Sequence, residues 1–337
     1  MTLLSAAISA AVEAKTSTTV EVNGGELARL RALFRGYSDA PNARAWHFGA
    51  MHPPAPDGDD PLPDPSAYGE RIAAVYDQWY ADDAGHVTPV VDFLAGHAGD
   101  GPALELGVGT GRIAIPLATR GLAVSGIDAS PQMIAKLRDK VGGDRVAVSI
   151  GDFTEVNAEG GPFRLVYVVF NTFFGLLTQA SQVRCFRNVA ANLVPGGVFV
   201  IEAFVPDPAR FDRDQRLQVD DVRGETGLIS ASVHDRATQR IRTRHYAISD
   251  GGISSYPVEL RYAWPSELDL MAQLAGFEPL GRWAGWQRQP FTSASGMHVS
   301  AWTAPAHQNT AQTHRGATLR LNRRPSELDP VLPIGAE

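Results

Sequence analysis

Short apolar runs alternate with segments of helical period through the middle of this chain. Ala103–Leu106, Ala123–Ile127, Val146–Ile150, Leu165–Phe170 and Val198–Phe204 predict five strands. Between them, Ile113-Ala114-Ile115-Pro116-Leu117-Ala118 opens a helix. A second helix is capped by Ser130, with Pro131 at its first position and Met133, Ile134, Leu137 and Val141 as its apolar stripe; Gly142-Gly143 stops it. A third is expected from Gln179 to Leu193, closed by Pro195-Gly196-Gly197. Strands that alternate with helices imply a parallel sheet with right-handed crossovers.

The texture then changes. Arg216–Val222, Gly227–His234, Gln239–Ile248 and Ile253–Trp264 alternate with period two, and Asp250-Gly251-Gly252 suits a hairpin turn. These runs predict an antiparallel sheet inserted after the fifth strand. Ser266 is expected to cap a helix through Ala275, stopped by Gly276; Phe277–Trp286 and Met297–Trp302 read as a terminal hairpin. Upstream, Tyr68–Tyr80 and Val87–His97 read as helices, and Gly25–Tyr37 as a short one. Met51–Pro65 carries six prolines and many aspartates, the composition of an extended strap. The expected organisation is an N-terminal extension (1–66), an α/β core (67–205), the inserted sheet (206–264), the closing part of the core (265–304) and a mobile tail (305–337).

At 337 residues and 44% hydrophobic, the chain can bury a sizeable core. A net charge of −7 argues against a nucleic-acid partner, which would need a basic face. The single cysteine, Cys185, excludes an intrachain disulfide and a cysteine metal site; a buried, inert thiol in a cytoplasmic protein is expected. Leu3–Val12 is apolar but lacks the basic start of a signal peptide and is shorter than the roughly 20 residues of a membrane span.

The chemistry is concentrated at the strand ends, where open parallel sheets bind ligands. The first strand runs into Gly107-Val108-Gly109-Thr110-Gly111-Arg112, a G-x-G-x-G turn before a helix. Such a turn makes a backbone concavity with free N–H groups, and glycine leaves it unblocked. The second strand ends at Asp128, 17 residues after Gly111, where a carboxylate can accept two ribose hydroxyls. The third ends at Gly151-Asp152-Phe153, an acceptor for an exocyclic amine followed by a ring for adenine. The fourth ends at Asn171.

This set resembles the class I S-adenosylmethionine-dependent methyltransferases. The resemblance covers roughly Tyr68 to Trp302 and rests on Glu105–Gly111, Asp128, Gly151-Asp152-Phe153, Pro195-Gly196-Gly197 and Ala275-Gly276-Phe277. It implies a Rossmann-like, doubly wound seven-stranded sheet with a reversed last strand. It also implies S-adenosylmethionine as cofactor, with Gly107, Gly109 and Gly111 near its methionine part, Asp128 at the ribose, and Asp152 and Phe153 at the adenine. Met133 would pack on the adenine's other side; Glu105, Arg112, Ala129 and Asn171 complete the cofactor set. Plain structural readings stand beside these: Met133 as core, Asp152 as a loop acid, Asn171 as a turn residue. Tyr76-Asp77-Gln78-Trp79-Tyr80 looks like the aromatic helix that closes over the cofactor in small-molecule members, so Tyr76 and Tyr80 join the cofactor set, unless the helix merely packs on the sheet. π faces suit a sulfonium.

The expected reaction is in-line methyl transfer to N or O of a small molecule, with no metal. The inserted sheet resembles the cover of sugar and amine N-methyltransferases, where it often joins a homodimer. His245 and His234 are candidate bases, beside the alternative of structural histidines, and Tyr80 is a third catalytic candidate. Arg240, Arg242 and Arg244 either meet an anionic substrate or form a solvated face. Asn171-Thr172-Phe173-Phe174 departs from the Asn/Asp-Pro-Pro-Tyr of nucleic-acid amino-methylases. A nicotinamide oxidoreductase and a non-catalytic S-adenosylmethionine-binding partner protein are the rival readings. If the N-terminal extension straps across the pocket, Trp46, His47 and His52 matter.

Overall fold

The computed structural model describes residues 64, 66–80, 84–155, 158–223, 226–249 and 251–305. The expected helix at Gly25–Tyr37, the proline-rich strap with Trp46, His47 and His52, and the tail from residue 306 lie outside the described residues.

Seven strands form the central sheet: β1 (Ala103–Leu106), β2 (Val124–Asp128), β3 (Val146–Ile150), β4 (Phe163–Val168), β5 (Leu193–Phe204), β10 (Glu278–Trp283) and β11 (Met297–Thr303). Their order is β10-β11-β5-β4-β1-β2-β3, and β11 alone runs against its neighbours. The doubly wound sheet with one reversed strand is thus present as expected. Strand residues alternate between two apolar layers. Leu104, Leu106, Val166, Val168, Phe199 and Ile201 face one layer, which takes in Cys185, Phe186 and Met271 from α6 (Gln179–Asn192) and α7 (Pro265–Leu274). Ala103, Leu165, Tyr167, Val198 and Val200 face the other, with Val90 and Leu94 of α3 (Ala84–Ala98) and Leu117 of α4 (Ala114–Thr119). Period-two alternation with both faces covered is what a parallel sheet between helices requires. Cys185 is fully buried, and burial pushes its thiol up, which keeps it unreactive.

The second sheet, β6 (Gln215–Arg223), β7 (Thr226–Asp235), β8 (Arg240–Ser249) and β9 (Gly252–Arg261), is antiparallel and consecutive. Ser249 pairs with Gly252 where β8 passes to β9. Its base packs on the core through Ile241 and Leu260. There Arg261 donates to Gln182, Gln239 and Glu267, joining the sheet to α6 and α7. Arg242 and Arg244 are exposed, whereas Arg240 donates to the Leu177 carbonyl at 3.1 Å. The arginine stripe is therefore divided between solvent and the sheet's root.

Several local expectations are corrected. Tyr68–Tyr80 is not one helix but two short ones, α1 (Ala67–Ile72) and α2 (Tyr76–Trp79), with a turn between. Helix α5 (Pro131–Arg138) ends before Val141, which is almost wholly exposed. Pro195-Gly196-Gly197 does not close a helix; it lies within β5, at a register shift against β4. Ser266 does not cap α7: Trp264 is the cap residue, Pro265 occupies the first turn, and no side chain caps the helix.

Candidate active site

The turn after β1 is built on three left-handed glycines, with φ of 71° at Gly107, 53° at Gly109 and 78° at Gly111. They serve different ends. A Cβ on Gly107 would sit 2.5 Å from Thr172 Cγ2, and one on Gly111 2.8 Å from Ile115 Cδ1, so both permit close packing. A Cβ on Gly109 would meet nothing nearer than the Gly107 carbonyl at 4.0 Å; it would stand in the concavity itself. The expectation of free N–H groups is corrected, because most serve the fold. Gly107 and Val108 donate to the Ile127 carbonyl, Gly111 to that of Val108, and Gly109 to Asp128 Oδ2 at 2.7 Å. The concave backbone surface, rather than a row of unspent donors, is what the turn offers.

Asp128 closes one side. Its Oδ1 accepts the Ser130 N–H at 2.9 Å, and the N–H of Ala129 also points to it. Burial raises its carboxyl from the ordinary value, and these backbone donors oppose the rise. Each carboxylate oxygen has a second lone pair, so hydroxyl donors can still be accepted. Glu105 lies beneath the turn, buried, accepting from the Tyr167 hydroxyl at 3.1 Å and from the Ala114 N–H. Burial pushes its carboxyl up to about 8. It braces the turn from below.

Two short helices cover the turn. Thr110 Oγ1 and Lys140 Nζ both donate to Asp77 Oδ1 of α2, at 2.7 and 2.8 Å. Ser130 Oγ donates to Glu70 of α1, and a Cβ on Gly69 would collide with Ser130 at 2.5 Å, which explains the glycine. The Tyr76 and Tyr80 rings pack with centres 4.8 Å apart, tilted by 52°. The Arg112 guanidinium lies 4.9 Å from the Tyr80 ring centre and 3.4 Å from that of Phe170. Tyr76, Tyr80, Arg112 and the glycine turn are thus one cluster.

The remaining expected residues are placed as follows. Met133 is buried with Ile72 and Ala73, beside Tyr76 and Tyr256, so it packs under the cover helices. Asp152 Oδ1 accepts the Thr154 N–H at 2.8 Å, an acid that shapes its own turn. Phe153 is half-buried against the main core. Asn171 is left-handed, with φ of 62°, and its Oδ1 accepts the Phe204 N–H at 2.7 Å, tying the ends of β4 and β5. His245 faces Trp79 of α2 at 6.3 Å between ring centres, and Trp79 meets Tyr256 edge-on at 4.8 Å. His234 is elsewhere: it is buried against Phe211, 3.0 Å from the Tyr262 hydroxyl, and four residues along β7 from Ser230, about 13 Å by strand rise. Its described contacts are with Phe211, Tyr262 and Asp214 rather than with the glycine turn.

Reading by motif missed Phe170 and Glu202. Phe170 and Asn171 are consecutive left-handed residues without glycine, an arrangement that costs roughly 1–2 kcal/mol each. Glu202 holds it, accepting the Phe170 N–H and the Trp286 Nε1–H, both at 2.8 Å. A lone carboxylate inside the apolar run Val198–Phe204 was the available signal.

The glycine concavity, the carboxylate beside it and the aromatic cover fit S-adenosylmethionine: Gly107–Gly111 and Asp128 would hold it, and Arg112 with Tyr80 would border it. Together with the doubly wound sheet, they define a nucleoside-binding group-transfer enzyme. A methyltransferase-domain family model matches residues 103–197. The CcbJ methyltransferase from Streptomyces caelestis is 37% identical, with a TM-score of 0.68 over 72% of this chain and 100% of that one. The cypemycin N-terminal methyltransferase of a Streptomyces species is 28% identical over 242 residues, 69% of this chain and 96% of that protein. The amino pentose methyltransferase CalS10 from Micromonospora echinaspora, solved with S-adenosylmethionine bound, shares the fold at 24% identity and a TM-score of 0.52, over 68% of this chain and 96% of that one. This chain belongs to the class I S-adenosylmethionine-dependent methyltransferases. The nicotinamide oxidoreductase reading is set aside. Among the described residues no helix is long and apolar enough to cross a membrane, and no three His, Cys, Asp or Glu side chains gather to hold a metal.

Proposed function

We propose that this enzyme methylates the nitrogen of an amine on a small molecule, bound between the glycine turn and the inserted sheet. The observation that carries this is the seam at α2. Asp77 fastens it to the glycine turn, while Trp79 meets Tyr256 and His245 of the inserted sheet. An aromatic wall beside the cofactor site excludes water and favours the uncharged, nucleophilic amine over the solvated ammonium. S-adenosylmethionine supplies an activated methyl carbon; the protein has to align the nitrogen with it. The likeness to the cypemycin N-terminal methyltransferase supports nitrogen over oxygen.

A cytoplasmic location and a homodimer belong to the same proposal. The lone buried thiol is in keeping with the first. Exposed Val222, Val233 and Ile253 on the inserted sheet support the second, which sedimentation tests. The acceptor is tested by release of S-adenosylhomocysteine with a free-amine peptide, an amino sugar and their hydroxyl counterparts. Turnover of the amines alone is expected. Turnover of the hydroxyl compounds alone refutes the nitrogen assignment, and tight cofactor binding without any turnover favours the non-catalytic reading.

A further inference from the structure

Three polar groups cross the inserted sheet without serving the cofactor site. Asp220 sits at the register shift of β6, Ser230 lies on β7, and His245 pairs with it on β8. The Ser230 hydroxyl donates to Asp220 Oδ2, and its oxygen is 2.7 Å from His245 Nδ1. A serine hydroxyl has one proton. With that proton directed at the carboxylate, the oxygen accepts from the ring, so Nδ1 carries the hydrogen and Nε2 keeps its lone pair. Asp220 Oδ2 also lies 3.9 Å from Nδ1, close enough to stabilise an imidazolium. Among the described residues, Nε2 has no hydrogen-bond partner, and the ring faces Trp79 beside the glycine turn. The order is carboxylate, serine, histidine. The serine is held between the other two, and the histidine is the end that meets a ligand.

We infer that His245 Nε2 accepts the proton of the acceptor amine, and that Ser230 and Asp220 are positioning residues that set its tautomer. The inference rests on the amine reading above. In this step the N–H bond of the acceptor ammonium breaks, its electron pair stays on nitrogen, and an Nε2–H bond forms. The uncharged amine is then the nucleophile. The groups that face His245 from the elements packed against it are Asp220 on β6, Ser230 on β7, the Tyr256 phenol on β9 and the Trp79 indole on α2.

Two measurements test it on the full chain. In the first, ¹⁵N-histidine spectra without ligand give the tautomer and titration of His245, assigned by the signal lost in His245→Gln. The Nδ1–H tautomer is expected. Ser230→Ala is expected to mix the tautomers. In the second, kcat/KM is followed against pH for the free-amine peptide and the amino sugar. His245→Gln is expected to lose about 100-fold near neutral pH. Its affinity for S-adenosylhomocysteine is expected to stay unchanged. Ser230→Ala is expected to lose about tenfold and to move the acidic limb of the profile. An Nε2–H tautomer in the wild type overturns the inference whether or not an amine is turned over. So does wild-type turnover of an amine that His245→Gln matches, and the amine reading then stands. Turnover of hydroxyl compounds alone, with the Nδ1–H tautomer present, overturns the amine reading and His245's part in it, and leaves the hydrogen-bond chain intact.

Discussion

Gly107 and Gly109 share a left-handed backbone yet should respond differently to a single methyl group. In Gly107→Ala the new Cβ faces Thr172 Cγ2 at 2.5 Å, against a carbon–carbon optimum of about 3.5–4.0 Å. Left-handed strain contributes roughly 1–2 kcal/mol. The overlap adds about 1–3 kcal/mol of overpacking. The expected loss of stability is therefore roughly 2–5 kcal/mol. In Gly109→Ala the Cβ meets nothing within 4.0 Å except the Gly107 carbonyl, so only the strain remains, roughly 1–2 kcal/mol. That methyl, however, stands where the cofactor would lie, and binding should weaken by at least about tenfold. Urea unfolding read by circular dichroism and calorimetry with S-adenosylhomocysteine separate the two effects. Thr172→Ser removes the clashing carbon, so Gly107→Ala/Thr172→Ser should recover about 1–3 kcal/mol of the single variant's loss. Equal destabilisation by both alanines, or no recovery in the double variant, would refute the division of labour between these glycines.

Asp128→Ala leaves the Gly109 and Ser130 N–H groups without their acceptor; a stability loss of about 2–4 kcal/mol and weaker cofactor binding are expected, by urea unfolding and calorimetry. His298 is fully buried, and burial holds its ring down at about 4. The unfolded chain therefore takes up a proton that the folded chain refuses, and stability should fall by about 3 kcal/mol as pH drops from roughly 6.5 to 4. Substitution by glutamine should flatten that limb. Glu105 works at the other end: its carboxyl stays protonated up to about 8, so stability should fall as pH rises from about 4.5 to 8. Glu105→Gln should raise the unfolding midpoint in mild alkali and change little in mild acid. Arg261→Met removes the countercharge of Glu267, which keeps its Gln179 and Gln239 donors, and takes the donor from Gln182 Oε1 at the root of the inserted sheet; a loss of about 2–4 kcal/mol is expected by thermal unfolding.

Much of this molecule could be read in one dimension because its information is local. The glycine spacing of 107–111, the acid that ends β2 and the Ser130-Pro131 cap each act within a few residues. So did the period-two runs that announced the inserted sheet. Where local signals were read too simply, the structure corrected them. Val141 continues a helical period, yet α5 stops three residues earlier at Arg138 and leaves it exposed. Pro195-Gly196-Gly197 has the composition of a helix stop, but β5 carries it as an irregularity against β4.

The sequence by itself determined the sheet type, the cofactor turn and the carboxylate beside it, since strand, turn and helix are neighbours along the chain. Only the tertiary structure decided which side chains meet across it. Asp77 reaches Thr110 from 33 residues away, Glu202 reaches Phe170 from 32, and Ser230 stands between Asp220 and His245 on three strands. Such meetings depend on register and packing, which no spacing in the sequence records. For the same reason His234 and His245, both on strands of the inserted sheet, part company: one is packed into the sheet's root, the other faces the seam.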